Sequence, residues 1–135
     1  MRTFADMCAL RGIKLTNRVW SWCGRKVDGA LVIFTLWQDC FVKIDGKFRY
    51  PLTHKEDRST NDNPDRPGWR EMVGVANFCL DNPSTRVLGV MCKAVDVDAD
   101  PRKREWIDDK EFKVLRVERG DDGEAWATIV GTERA

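Results

Sequence analysis

The apolar run Leu31–Trp37 constrains the fold of this chain more than any other segment. Its residues are mostly β-branched or aromatic, and Thr35 is the only polar residue in it. A continuous apolar run of this length is typical of a strand that is buried on both faces, at the centre of a sheet. The sequence therefore predicts a sheet-containing domain built around this strand.

Turn signals and apolar spacing place other elements around this strand. Asp28-Gly29, Asp45-Gly46 and the segment Gly120–Gly123 predict hairpins, because such dipeptides favour tight turns. Helical spacing predicts helices over Thr3–Arg11 and Trp69–Leu80. The further strands are expected at Arg18–Cys23, Phe41–Ile44, Lys47–Tyr50, Arg86–Val97, Glu111–Glu118 and Ala125–Val130. We expect an α+β fold, with a mostly antiparallel curled sheet or small β-barrel and two helices.

The length and the charge of the chain bound its class. A chain of 135 residues suits one domain, which we expect to span residues 1–135. Lys and Arg number 23 against 22 Asp and Glu, which excludes a strongly basic nucleic-acid coat protein. No apolar run approaches the roughly 20 residues of a membrane helix, and the N-terminus lacks the apolar core of a signal peptide. We expect a soluble, cytoplasmic protein with no membrane partner, and the oligomeric state stays open.

The segment 51–68 differs in composition from the rest of the chain. It contains three Pro and almost no apolar side chain, so it predicts a long polar loop. Loops of this length without structure are uncommon in compact domains and are usually functional. A protein-interaction role for this loop is one alternative that the sequence leaves open.

The cysteines and the single histidine argue against a metal centre. The five Cys include no CxxC pair, and no Cys/His cluster with the spacing of a zinc site is present. Most of them have apolar neighbours, which predicts buried, reduced thiols. His54 lies in a polar stretch, and nothing around it supports a catalytic triad.

Three of the six Trp carry the main functional hypothesis. Trp20 and Trp22 share one face of a predicted strand, and Trp37 ends the strand expected beside it. Such rings could line a pocket and stack on a flat base, or they could simply fill the core, since Trp buries a large apolar area. The sequence leaves both interpretations open.

Charged residues near these rings could complete a binding site. Asp39 follows Trp37 closely and could accept a hydrogen bond from a base amino group, or it could end the strand in a turn. Arg102-Lys103-Arg104 is a basic cluster suited to phosphate contacts, although it could equally be a solvated charge run beside the nearby Asp residues.

A metal-dependent nuclease is the enzymatic alternative. Such enzymes use an Asp and a Glu to hold a divalent cation and a Lys near the attacking water. Asp96 or Asp98 with Glu111 and Lys113 have a compatible spacing. The same short pattern occurs elsewhere in this charged chain, which weakens the signal.

The order of elements and the placement of aromatic residues over Arg18–Val130 resemble the PUA-like group of small barrels, which includes EVE- and SRA-type readers of modified bases. Trp20-Ser21-Trp22, Leu36-Trp37-Gln38-Asp39 and Asp96–Arg102 are also similar to segments in a family of uncharacterised small bacterial proteins. The PUA-like resemblance implies a binding module, and so it favours recognition over catalysis.

We therefore predict a non-catalytic ligand-binding module that recognises nucleic acid or a modified base in an aromatic pocket. This hypothesis needs no cofactor and no metal. The metal-dependent nuclease and the protein-interaction accessory domain remain as alternatives. The candidate ligand-binding residues are Trp20, Trp22, Trp37, Asp39, Asp96, Arg102 and Lys103.

Overall fold

The computed structural model describes residues 1–17, 21–54, 67–99 and 103–135. In these ranges the chain forms two helices, eight strands and a short 3-10 turn at Gln38–Cys40. None of the helices described is long and apolar enough to cross a membrane. The elements in chain order are α1 (Phe4–Ala9), β1 (Cys23–Arg25), β2 (Leu31–Trp37), β3 (Val42–Ile44), β4 (Lys47–Pro51), α2 (Pro67–Asp81), β5 (Arg86–Ala94), β6 (Arg104–Ile107), β7 (Glu111–Arg119) and β8 (Ala125–Arg134).

All eight strands belong to one mixed sheet. Its order is β1-β2-β5-β7-β8-β4-β3, and β6 pairs with the end of β5. The strands β2 and β5 are parallel, whereas the other pairings of the described strands are antiparallel. A parallel pair needs a long crossover, and the chain supplies one through β3, β4 and α2. The α+β class, the two helices and the mostly antiparallel sheet are confirmed.

The sheet is curled but not closed. The hydroxyl of Tyr50 on β4 accepts a hydrogen bond from the backbone N–H of Trp37 on β2, at 3.1 Å. Three strands separate β2 from β4 in the sheet, so the sheet must bend for these residues to meet. Among the described strands β1 and β3 are still edges, so of the two predicted alternatives the structure shows the curled sheet and not the closed barrel.

Helices cover both faces of the sheet. Gly24 on β1 faces the segment after α1, because a Cβ added there would lie 2.6 Å from Ile13 and 3.5 Å from the sulfur of Cys8. Cys23 is the residue before Gly24, and its side chain points to the opposite face because side chains alternate along a strand. There it is close enough to Glu71 on α2 for the charge of Glu71 to act on its thiol. Every residue of β2 is buried, which confirms the prediction of a strand buried on both faces.

Local signals set the ends of the helices. Thr3 and Asp6 form a capping box at the start of α1, with Asp6 N–H donating to Thr3 Oγ1 at 3.1 Å and Thr3 N–H donating to Asp6 Oδ2 at 2.9 Å. The helix α2 begins at Pro67, whose missing N–H costs nothing in a first turn. It ends where the Asn82 side chain donates to the Phe78 carbonyl at 2.9 Å.

The strand β6 was not predicted. Arg104 belongs to this strand and not to a solvated loop, and Ile107 pairs with Cys92 of β5. Ile107 is the only buried residue of β6. One buried side chain in four residues is too weak a pattern for a sequence-based prediction of a strand.

Candidate functional site

Trp37 belongs to the hydrophobic core. Only 5% of it is exposed. The guanidinium of Arg104 lies 5.5 Å from the centre of the Trp37 ring, and the same group donates to Thr35 Oγ1 at 3.2 Å. Arg104 thus covers the end of β2 from the neighbouring strand β6. The structure places Trp37 in the core-packing role, and this burial contradicts the prediction that its ring lines an open pocket.

Of the other two tryptophans in the predicted pocket, the structure describes only Trp22. Trp22 is half-buried just before β1, and its carbonyl accepts a hydrogen bond from Thr35 N–H at 2.8 Å. Trp20 lies outside the described residues, as does the start of the predicted strand at Arg18–Cys23. Neither of the two cavities described below is lined by Trp22 or Trp37.

Three of the predicted polar residues lie near the carboxyl ends of two neighbouring strands. Because β2 and β5 are parallel, with Trp37 beside Cys92, the residues that follow the two strands lie at the same end of the sheet. Asp39 lies in the 3-10 turn after β2, and Asp96 follows β5, where its carboxylate accepts from Asp98 N–H at 2.9 Å. The Lys103 carbonyl accepts from Val95 N–H at 2.9 Å, and Arg102 lies outside the described residues.

The residues of the nuclease alternative are not gathered at one point. Lys113 pairs with Glu111 at 3.1 Å and lies opposite Gly89 on β5. Asp96 lies beyond the end of β5, on the order of 20 Å further along an extended chain. The described ranges contain no group of three or more His, Cys, Asp or Glu side chains that could hold a metal ion.

His54 takes part in a polar cluster that the sequence did not reveal. Its Nε2 lies 2.9 Å from Asp122 Oδ2, and the Trp126 indole N–H donates to Asp122 Oδ1 at 3.2 Å. The backbone N–H of Glu124 and the hydrogen bond with His54 together lower the pKa of Asp122. This cluster ties the chain after β4 to the β7–β8 turn, which is a structural role.

The cysteines are free thiols, as predicted, but they differ in burial. Cys8, Cys23, Cys79 and Cys92 are buried, whereas Cys40 is partly exposed. Burial raises the pKa of Cys8 to about 12 and that of Cys79 to about 12. The buried thiols are therefore poor nucleophiles.

A cationic groove runs between the edge strand β1 and helix α2. We call it the β1–α2 groove, and it encloses a cavity of about 580 Å³. Four of its lining side chains are basic and one is acidic, a formal surplus of three positive charges. The charged lining residues are Lys14, Arg25, Lys26, Arg70 and Glu71.

Within the part of the chain that the structure describes, the cations of the β1–α2 groove form no ion pair. The ion pairs of the described residues involve other Lys and Arg side chains. The guanidinium of Arg25 lies 4.6 Å from the centre of the Phe78 ring, a contact that holds the side chain without cancelling its charge. The net charge of the whole chain is only +1, so this concentration of positive charge is a local property.

The backbone of β1 adds hydrogen-bond donors to the groove. Thr35 N–H donates to Trp22 O, and Lys26 N–H donates to Leu31 O at 2.9 Å. In an antiparallel pair, residues alternate between facing the partner strand and facing away from it. The N–H groups of Cys23 and Arg25 therefore point away from β2. Cys23 is buried, so the N–H of the exposed Arg25 is the one that a ligand can reach.

A second cavity continues the groove past the β1–β2 turn. It encloses about 530 Å³ and shares Arg25 and Val27 with the first cavity. Asp28 adds a carboxylate to its lining, and Ser84 and Thr85 add neutral polar side chains. The two cavities adjoin at their shared residues, and the surplus of positive charge lies in the first.

The sequence carried little signal for this site. Lys14, Arg25 and Arg70 come from three separate segments, and only the tertiary structure brings them together. The dipeptide Arg25-Lys26, just before a predicted turn, is the one local feature that could have drawn attention.

Comparison of the chain with protein-family models, with curated proteins and with solved structures finds no match.

Proposed function

We propose that the protein is a non-catalytic module that binds the phosphate backbone of nucleic acid in the β1–α2 groove. The observation that carries this proposal is the set of four basic side chains that line one cavity and make no ion pair among the described residues. Free cations grouped at one place attract polyanions, and they release the counterions of the bound phosphates.

The chemistry of the groove suits phosphate in particular. A guanidinium presents a planar fork of donors that matches phosphate oxygens, and Arg25 and Arg70 supply two of them. The outward N–H group of Arg25 on β1 can donate to the same oxygens. The groove adjoins a second cavity that is lined by Arg25 and Asp28, and this added length favours an extended polymer over a single small anion.

The proposal rests on phosphate contacts and not on a pocket for a flipped base. The ring of Trp37 is packed in the core and covered by Arg104, so it is not used for stacking here. Glu71 is the one carboxylate in the groove, and its Oε1 is buried without a hydrogen-bond partner among the described residues. Its single negative charge offsets one of the four positive charges that line the groove.

Gly74 offers a direct test of the groove. It is exposed on α2 and lines the groove, and a Cβ added there would meet nothing within 4 Å. Gly74→Glu should therefore keep the fold while adding a negative charge and bulk inside the groove. We expect about a tenfold or greater loss of affinity for a labelled oligonucleotide in fluorescence anisotropy at low salt. Gly74→Ala is the matched control, and it should bind like the wild type.

The salt dependence tests the phosphate contacts separately. Four cations predict a slope of log K against log salt of up to about −3 for a single strand, and the double variant Arg25→Ala with Arg70→Ala should reduce the magnitude of this slope by about half. Arg116→Ala is the control, because Arg116 pairs with Glu118 at 2.6 Å outside the groove. Unchanged affinity in Gly74→Glu and in the double variant, with both proteins folded, would contradict the proposal.

A further inference from the structure

The β3–β4 hairpin presents an aromatic ring to solvent. Asp45 and Gly46 both have positive φ, 51° and 79°, which closes the hairpin in a tight two-residue turn. Phe48 on β4 lies directly opposite Lys43 on β3, so the two side chains share one face of the hairpin. The hairpin lies at the end of the sheet opposite to β1.

The exposure of Phe48 has no packing explanation. Its side chain is 59% exposed, whereas Tyr50, two residues on and on the same face, is 1% exposed. The sheet therefore buries one ring of this strand and leaves the other in water. An apolar ring that stays exposed to water brings no stability, and such rings often mark a binding surface.

The charged side chains on the two strands of the hairpin are basic. Lys43, Lys47 and Arg49 make no ion pair among the described residues, and the only acidic residue of the hairpin is Asp45 in the turn. Of these three cations, Lys43 shares the face of Phe48, whereas the two residues that flank Phe48 in β4 point to the other face. The Lys43 ammonium lies 5.9 Å from the ring centre, a distance at the limit of a cation–π contact. Lys43 is therefore available to a ligand that lies against the ring.

Among the residues that the structure describes, Trp106 is the second exposed aromatic ring, and it has different surroundings. Trp106 is 43% exposed, but it lies beside Glu105, which pairs with Lys93 at 3.7 Å. An acidic neighbour disfavours a polyanion there. The combination of an open ring and unopposed cations is thus a property of the β3–β4 hairpin.

We infer that this hairpin is a stacking platform for an unpaired base, so that the nucleic acid of the proposed function is single-stranded. Bases in a duplex are already stacked and cannot lie on Phe48, whereas an unpaired base can. Lys43, on the same face as the ring, would contact a flanking phosphate. The inference depends on the proposed function for the class of ligand, but it uses a different surface.

The test compares single-stranded and duplex oligonucleotides of equal length by fluorescence anisotropy. The wild type should prefer the single strand, and Phe48→Ala should lose affinity for it by about tenfold while duplex binding stays unchanged. Phe48→Tyr should retain binding because it keeps an aromatic face, whereas Phe48→Leu should behave like Phe48→Ala. Thermal melts would confirm that these exposed substitutions leave the fold intact.

The outcomes separate this inference from the proposed function. If Phe48→Ala binds normally while Gly74→Glu does not, the stacking platform is wrong and the groove stands. If Phe48→Ala loses binding while Gly74→Glu does not, the groove is wrong and the platform stands. No binding of any oligonucleotide by the wild type would overturn both, and so would preferential binding of an acidic peptide.

Discussion

The carboxylate of Glu133 lies between two guanidinium groups. Arg11 Nε is 3.3 Å from Glu133 Oε2, and Arg86 Nη2 donates to Glu133 Oε1. Arg11 also lies over the ring of Phe112 at 4.7 Å. Partial burial acts to raise the pKa of Glu133, but the hydrogen bonds from Arg86 and Arg11 outweigh it and hold this pKa below its usual value. One residue thus links the end of α1 to two strands.

Glu133→Gln should lower stability and flatten its dependence on acid pH. The folded pKa is lower than the unfolded one, so this stabilisation is present above the unfolded pKa and is lost as pH falls through the folded pKa. We expect the free energy of unfolding of Glu133→Gln to be about 1–2 kcal/mol lower than that of the wild type near neutral pH. Between about pH 5 and pH 2 the variant should lose less stability than the wild type does. Urea unfolding across this range would measure both effects.

Glu118→Gln provides the control for this experiment. Its ion pair with Arg116 is more than half exposed at both side chains, and such pairs contribute little to stability. The two variants should therefore differ near neutral pH. If the wild type and Glu133→Gln lose stability in parallel below about pH 5, the ionised carboxylate of Glu133 does not stabilise the fold as described.

At the scale of single elements, two glycines have opposite environments. Gly89 lies in β5 under the side chain of Leu36, where a Cβ would come within 2.4 Å of Leu36 Cδ1 and 3.1 Å of Leu115. Gly74 lies on the exposed face of α2 with open space around it. The first glycine allows two strands to pack closely, whereas the second only weakens a helix.

Gly89→Ala should destabilise the protein by about 1–3 kcal/mol, because the added methyl group overpacks the core. Gly74→Ala should stabilise it by about 0.5–1 kcal/mol, because alanine loses less conformational entropy in a helix. Urea unfolding followed by tryptophan fluorescence would measure both changes in stability. Equal effects of the two substitutions would show that the packing around Gly89 is looser than described.

At the scale of the whole molecule, one hydrogen bond joins distant parts of the curled sheet. Tyr50 is fully buried, its hydroxyl accepts from Trp37 N–H, and its ring meets the edge of Phe41 at 5.1 Å. The bond spans strands that are not neighbours in the sheet. It therefore depends on the curl and in turn stabilises it.

Tyr50→Phe should keep the ring packing and remove this hydrogen bond. We expect a loss of about 1–3 kcal/mol, because a buried N–H loses its hydroxyl acceptor. The amide of Trp37 should exchange faster with solvent deuterium, while the amides of α1 should change little. Unaltered stability together with an unaltered Trp37 exchange rate would show that the curl does not depend on this bond.

Local patterns predicted most of the elements but not their contacts. The burial of β2, the Asp-Gly turns and the apolar stripe of α2 follow from neighbouring residues, and each is confirmed. The strand β6 carries one buried residue, so its pattern was too weak. The burial of Trp37 depends on Arg104, which is distant in sequence, and no local pattern could have predicted it.

The amino-acid sequence by itself determined where strands, turns and helices form, because these depend on side chains a few residues apart. The tertiary structure alone decided which tryptophan is buried, which cations share a groove and which ring faces water. These properties depend on contacts between segments such as those of Lys14, Arg25 and Arg70, whose positions relative to one another are set by the curl of the sheet and the packing of α2.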